Sequence, residues 1–440
     1  MSTASLQEHL ETQQRALPAP AASQTWRREA LASFAARGFP TRREERWHYT
    51  DLKLLGDERF PLVPSPPSTA TRAAARALLE AHGIDLAGQR LVFVDGHLDA
   101  TLSQFGTAPG LEISAPSDAW DSFSSERTTA ASTTRTYPLA MLNTAFVQQG
   151  ALVKVGRAND SQIPLQIVFL AVSGERSAPQ PRVIVELAEG AAATVVQHFL
   201  DAPTAAPGWL NLVTEVVQAP ASRLTLYRIQ EHGAAHRHTS LLNARLGRDA
   251  LFTAGYIERG SRLVRNDVDV LLAEAGARAD LFGLALGDGE QHIDNYACVE
   301  HAAARTASTT AFRAIADGSA RCVFCAKVIV QPGAQKVDAR QASDGLLLSP
   351  RAEIDSKPEL EIYANDIKCA HGATIGELDE EQLFYLRSRG VSSEAARAML
   401  TLAFAQVACE RIALTPVRAR ATAAFAARLP EARDSGENPW

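Results

Sequence analysis

Between Tyr363 and Gly390 the chain reads Y-A-N-D-I-K-C-A-H-G-A-T-I-G-E-L-D-E-E-Q-L-F-Y-L-R-S-R-G, which sets the thiol of Cys369 and the imidazole of His371 two residues apart. Both groups are metal ligands: the thiolate suits soft ions and iron-sulfur clusters, the imidazole zinc or iron. In an extended strand side chains alternate, so Cys369 and His371 point one way and Lys368 the other. Gly372 is expected to end that strand. Asp379 with Gln382 three residues on predicts a helix cap, Leu383, Phe384 and Leu386 an apolar face, and Gly390 the helix exit. Two ligands do not complete a site, because a cluster or a structural zinc takes about four. Taken alone, the pair reads equally well as a small buried thiol and a hydrogen-bonded core histidine. A functional reading needs further ligands from elsewhere in the chain or from another subunit.

Other candidates are weaker. Cys322-x-x-Cys325 lies in a strand-like run, where two thiols three apart face opposite sides, and no second pair follows to complete a zinc site. His232, His236 and His238 in E-H-G-A-A-H-R-H-T-S could share a metal, but a polar surface turn is the favoured reading. His292, Asp294 and Glu300 read as scattered polar residues on strand edges. Neither G-x-x-x-x-G-K-[ST] nor G-x-G-x-x-G occurs, so no ATP or dinucleotide phosphate cradle is expected in this chain, and G-x-S-x-G and H-E-x-x-H are missing too.

The elements that must position Cys369 and His371 come in three textures. Residues 1–149 read as mainly helical with a linker: Leu6, Leu10, Trp26, Leu31 and Phe34 recur at helical spacing up to Gly38 and Pro40. A proline-rich loop follows, then a helix over 72–82, a short strand over 90–95 with a turn at Gly96, and a Ser/Thr/Ala/Pro-rich connection over 103–135. From 150 to 376 short apolar runs alternate with turns at Glu189-Gly190, Ala219-Pro220, Gly247-Arg248, Ala275-Gly276, His301-Ala302, Asp317-Gly318, Pro332-Gly333 and Ser349-Pro350. Their spacing, roughly 26 to 30 residues at first and roughly 15 to 17 later, predicts a stacked β-solenoid in preference to a sandwich. Residues 377–430 turn helical again: 379–389, 393–413 with the stripe Ala396, Met399, Leu400, Ala403, Phe404 and Val407, and 416–429. Residues 431–440 read as a tail.

Composition narrows the function. The 440 residues are 46% hydrophobic and 21% charged with a net charge of -6, which argues against a nucleic-acid binder. No run reaches the roughly 18 apolar residues of a membrane span, and the N-terminus lacks a signal-peptide centre, so a cytoplasmic protein is expected. Five cysteines without an export signal argue for reduced thiols.

Several segments together resemble the SufB/SufD family of the SUF iron-sulfur cluster assembly system, and its SufD-like branch in particular. They are K-C-A-H-G-A-T-I-G with L-D-E-E-Q-L-F-Y-L-R-S-R-G, A-Q-K-V-D-A-R-Q from Ala334, L-L-L-S from Leu346, A-E-I-D-S-K-P-E-L from Ala352, and P-T-R-R-E-E-R-W-H-Y-T over Pro40 to Thr50. The resemblance implies a mainly β fold: a right-handed parallel β-helix core flanked by N-terminal and C-terminal helical domains. It implies a non-catalytic scaffold that pairs with SufB through the β-helix and docks the SufC ATPase through its C-terminal helices, with a homodimer when the partner is absent. The family's functional histidine falls on His371 and its neighbouring cysteine on Cys369, an incomplete ligand pair at a cluster-assembly interface completed by the partner subunit. A transient iron-sulfur cluster shared with that partner and a reduced flavin, FAD, in the assembled complex are also implied. As ligands, neutral His371 and thiolate Cys369 should load less well as pH falls.

This chain departs from the family pattern at Cys325-Ala326, where Asn-Gly is common, and at Lys336-Val337-Asp338, where Lys-Thr-Asp is. A SufB-like primary scaffold is the first alternative, disfavoured by Gly372, where that branch has Glu, and by the few cysteines. A polysaccharide-acting β-helix enzyme would need paired carboxylates on adjacent rungs and an export signal. A permease of an ATPase-linked transporter would need membrane spans.

Overall fold

The computed structural model describes residues 3–17, 23–84, 88–105, 107–114, 137–157 and 163–427. From Leu165 onward successive strands fall alternately into two ten-stranded sheets, and each pairs in parallel with the strand two along the chain. Leu251 thus lies beside Arg278, and Arg278 beside Ala307, so one coil takes roughly 30 residues. The expected mainly β fold, a parallel solenoid with helices at both ends of the chain, is what forms. The strands Arg90–Val94 and Leu111–Ser114, upstream of residue 150, join the two sheets. The connection expected over 103–135 lies mostly outside the described residues, as does the tail 431–440.

Seven of the eight turns named above fall between strands, and the eighth, His301-Ala302, begins on the last residue of strand His292–His301. Corners at 231–236, 260–262 and 288–291 escape the sequence reading, because the strands beside them themselves bury polar residues such as Gln230, Glu258 and Asn295. No break in composition marks those corners. The first turn spacings therefore measure whole coils and the later ones half coils.

Period-two alternation sends one set of side chains into the lumen. In-register stacking puts like on like there: Phe93, Phe169 and Phe199 are neighbours with ring centroids 5.1 and 5.2 Å apart. The outer faces are covered by the rest of the chain. Phe282, Leu284 and Ile315 on one sheet pack against Ala405 and Phe425 of the C-terminal helices and Ile412 between them, while Trp209, Val213 and Leu241 on the other pack against Phe34, Phe60 and Leu139.

The C-terminal helices run Glu380–Ser388, Ser393–Cys409 and Thr415–Ala426. Asp379 caps the first as expected, accepting from the backbone N–H of Glu381 at 2.8 Å and of Gln382 at 3.2 Å. The faces they bury differ from the expected ones. Leu383 is buried but Phe384 is 72% exposed, and the second helix buries Ala396, Ala398, Thr401, Ala405 and Ala408 while Met399, Ala403 and Val407 face out. Small residues let this helix lie close against the sheet, so its larger apolar side chains turn away.

The segment R-R-E-E-R-W-H-Y-T is a clamp. Arg46 Nε bonds Asp267 at 2.7 Å and its terminal nitrogen Asp269 at 2.9 Å; Arg265 bridges Asp267 at 2.8 Å and Asp294 at 2.5 Å. Tyr137 donates to Asp267 and Thr50 to Asp294, and the Arg265 guanidinium lies 4.3 Å from the centroid of the buried Trp47 ring. Burial pushes the Asp267 carboxyl up, but Arg265 and Arg46 outweigh it and hold it below the usual range. Asp294 is therefore part of a buried network rather than a loose edge residue, and His292 joins it through Thr50 Oγ1 at 2.8 Å. Asp267→Ala would take from Arg46, Arg265 and the Tyr137 hydroxyl their shared buried acceptor, leaving Arg46 only Asp269 and Arg265 only Asp294, and is predicted to cost about 3–5 kcal/mol. Arg340→Ala, which breaks an exposed pair with Asp338, should cost less than about 1 kcal/mol. Urea denaturation of both variants checks the contrast.

Candidate functional site at the open end of the solenoid

Cys369 and His371 sit on the strand Ile367–Glu377, the edge of its sheet. It pairs on one side only, with Val337–Leu347, placing Cys369 beside Ala339 and His371 beside Gln341. The strand Glu353–Ile362 is the matching edge of the second sheet, so both edges form one terminal rung with unpaired backbone N–H and C=O groups. The strand does not stop at Gly372, as expected, but continues to Glu377: Ala342 pairs with Gly372, and a Cβ there would meet nothing within 4 Å. Parallel pairing to the rung below outweighs the weak local preference of a glycine.

Ala339 and Gln341 point into the lumen, and so do Cys369 and His371 stacked above them. The expectation that the pair shares one side is met. Their surroundings differ: Cys369 is half-buried against the cluster of Val328, Val337, Ala339 and Leu360, while His371 is exposed and is no core histidine. Burial pushes the Cys369 thiol above its ordinary pKa, so a thiolate there needs a cation to compensate it. Among the described residues no group of three or more His, Cys, Asp and Glu could hold a metal ion. Around the pair the rung is apolar, with Tyr363 60% exposed and Ile362 and Ile375 also facing solvent. Its outer face is a charge ladder: Arg321 to Asp355 at 2.7 Å, Lys327 to Glu361 at 2.5 Å and Lys357 to Glu45 at 3.1 Å.

The remaining candidates are not brought to this rung. Cys322 faces the lumen and Cys325 the outside, and burial pushes both thiols up to about 12. His232, His236 and His238 are buried rather than on a surface turn. The ring centroid of His232 is 5.3 Å from that of His236 and 6.0 Å from that of His238, and His236 Nδ1 lies 3.0 Å from Asp201 Oδ2. His232 and His236 line a narrow pocket with Asp95 and Trp209. The sequence gives no sign of this burial, because the corner that carries two of them is folded under by the preceding coil. Glu300 accepts from Gln331 at 2.7 Å.

A model of the SUF system FeS cluster assembly SufBD core domain matches residues 169–404. The chain belongs to that family of iron-sulfur cluster assembly proteins. It is 30% identical to the iron-sulfur cluster assembly protein SufD of Escherichia coli (strain K12), over 89% of this chain and 90% of that one. A SufBD family protein of Synechocystis is 28% identical over 87% and 85% of the two chains, and SufD of Bacillus subtilis 24% identical over 61% of each. Among the described residues no helix is long and apolar enough to cross a membrane.

The buried histidines set a pH dependence. Burial lowers His198 and His232 from 6.5 to about 3 and His301 to about 4, and holds His238 well below the ordinary value. Between those values and 6.5 the unfolded chain binds more protons than the native one, so stability is lost as pH falls from about 6.5, by up to about 1.4 kcal/mol per pH unit per histidine. Glu258, raised by burial to about 7, and Asp95 and Asp269, also raised by burial, oppose this as the pH falls, but His9 and His292 are lowered too, so six histidines act against three carboxyls. The urea midpoint should therefore be lower at about pH 5.5 than at about pH 7.5, and His232→Gln should narrow the gap. An unchanged midpoint would contradict the sign.

Proposed function

We propose that this chain is a non-catalytic scaffold that pairs with a SufB-type subunit through its terminal rung and helps hold a nascent iron-sulfur cluster there. The observation that carries this is the placing of His371 and Cys369 on the lumen side of an edge strand that has, among the described residues, no rung above it. An uncovered parallel edge with exposed apolar side chains is a template for another strand. A partner rung laid on it would bring its own ligands opposite His371 and Cys369, supplying what a two-ligand site lacks. The cluster is cargo: this chain contributes an imidazole and a thiol, and the partner the remaining thiolates or carboxylates.

The SufC-type ATPase docks on the C-terminal helices. Phe384, Tyr385, Met399 and Val407 are exposed there, and Glu380 and Glu381 flank the dip beside Phe384 and Tyr385. Exposed aromatics rimmed by acidic groups fit a partner that presents an apolar pocket with basic edges.

Anaerobic co-purification with the SufB-type and SufC-type partners tests the site. His371→Ala should leave the complex assembled and remove most of its iron and acid-labile sulfide, with Cys369→Ala acting in the same direction. Unchanged iron in an intact complex would make His371 structural. Phe384→Asp should weaken ATPase binding by about 2 kcal/mol or more, read by calorimetry on a variant whose circular dichroism is unaltered.

A further inference from the structure

Directly beneath His371, in register and on the same lumen side, stands Gln341. It is only 5% exposed, and its side-chain oxygen Oε1 has no hydrogen-bond partner. Below it the column continues with Thr310, and on the other strand of the terminal rung the hydroxyl of Ser356 is likewise buried and unpartnered. Buried acceptors without a partner recur further down the lumen, at Gln197 and Gln230, but Gln341 stands in register directly beneath an exposed histidine. A buried acceptor without a donor is costly, and it draws in the nearest mobile donor. Parallel neighbours in register stand about 5 Å apart, and the exposed His371 ring is free to turn onto it.

We infer that Gln341 is the positioning residue for His371: its Oε1 accepts the N–H of one ring nitrogen and leaves the other, unprotonated nitrogen presented at the mouth to a metal ion. An imidazole has two nitrogens and only the deprotonated one ligates, so the group that holds the N–H decides which nitrogen faces the metal. Cys369, two residues along the same side, stacks on Ala339 and has no such neighbour. Gln341 touches no cargo itself and acts through the histidine. This inference rests on the reading of His371 as a ligand, but the contact with Gln341 does not.

The experiment therefore has two arms. In the first, the free chain labelled with nitrogen-15 at histidine is compared with Gln341→Leu and Gln341→Glu at one fixed pH near 8, the His371 signal being identified by its loss in His371→Gln. One tautomer should dominate in the native chain and in Gln341→Glu, whose carboxylate accepts the same N–H, and both should appear in Gln341→Leu. In the second arm, the anaerobic complex with the SufB-type and SufC-type partners should hold iron about 10–100-fold more weakly with Gln341→Leu, and Gln341→Glu should restore it. Gln341→Met replaces the leucine variant if thermal melting shows that leucine unfolds the rung. Mixed tautomers in the native chain, or a tautomer unmoved by Gln341→Leu, overturn the inference. A tautomer that changes while iron affinity stays constant upholds the contact and overturns the reading of His371 as a ligand.

Discussion

Parallel pairing with the strand two along the chain is the constraint from which the rest follows. Each coil satisfies the backbone groups of the coil before it and leaves its own to the coil after it, so a solenoid always has a last rung that nothing inside it can satisfy. The two ends of this one are unlike. At the N-terminal end the short strands His97–Leu98 and Thr107–Ala108 turn back antiparallel and finish the sheets. At the other end the chain leaves the edge strand at Glu377 and passes directly into helix Glu380–Ser388. The helices that follow pack on the outer face of one sheet, several coils back, and among the described residues the last rung carries no further strand. His371 is exposed because of that topology, not because of its own polarity.

The flanking segments make such a body rigid. Arg46, Arg265, Asp267 and Asp294 bury four charges between the N-terminal segment and the sheet, with Trp47 and Tyr137 closing water out. A buried network of this kind adds little net stability over an apolar one, but it tolerates only one alignment, since a shifted register would leave charges unpaired. The motif R-R-E-E-R-W-H-Y-T thus fixes where the N-terminal segment lies along the stack. Further along, the parallel pairing of Val337–Leu347 with Ile367–Glu377 places Gln341 below His371.

Much of this was legible in the sequence because strands impose a period of two. That period alone put Cys369 and His371 on one side, and Cys322 and Cys325 on opposite sides. Turn residues located the coils, and Asp379 and Gly390 the helix after the last strand. What was not legible depends on neighbours distant in sequence. Gly372 breaks an isolated strand but not one paired to a coil below. The burial of His232 and His236 comes from the coil stacked against their corner, and that of His238 from the strand Arg237–Leu246 that follows it. The apolar stripe of helix Ser393–Cys409 gives no sign that its small residues, rather than Met399 and Val407, meet the sheet. That an unpaired Gln341 stands beneath His371 follows only from the register of strands distant in sequence.

The central claim is that the bare terminal rung is where a SufB-type subunit adds its strands. Amide hydrogen exchange of the free chain against its mixture with that subunit tests this most directly. Amides of Ile367–Glu377 and Glu353–Ile362 that face away from the stack should exchange rapidly in the free chain and slow by about tenfold or more on mixing, while coils further down stay unchanged. Protection that appears on the helices or the N-terminal end, with the terminal rung still exchanging freely, would contradict the account.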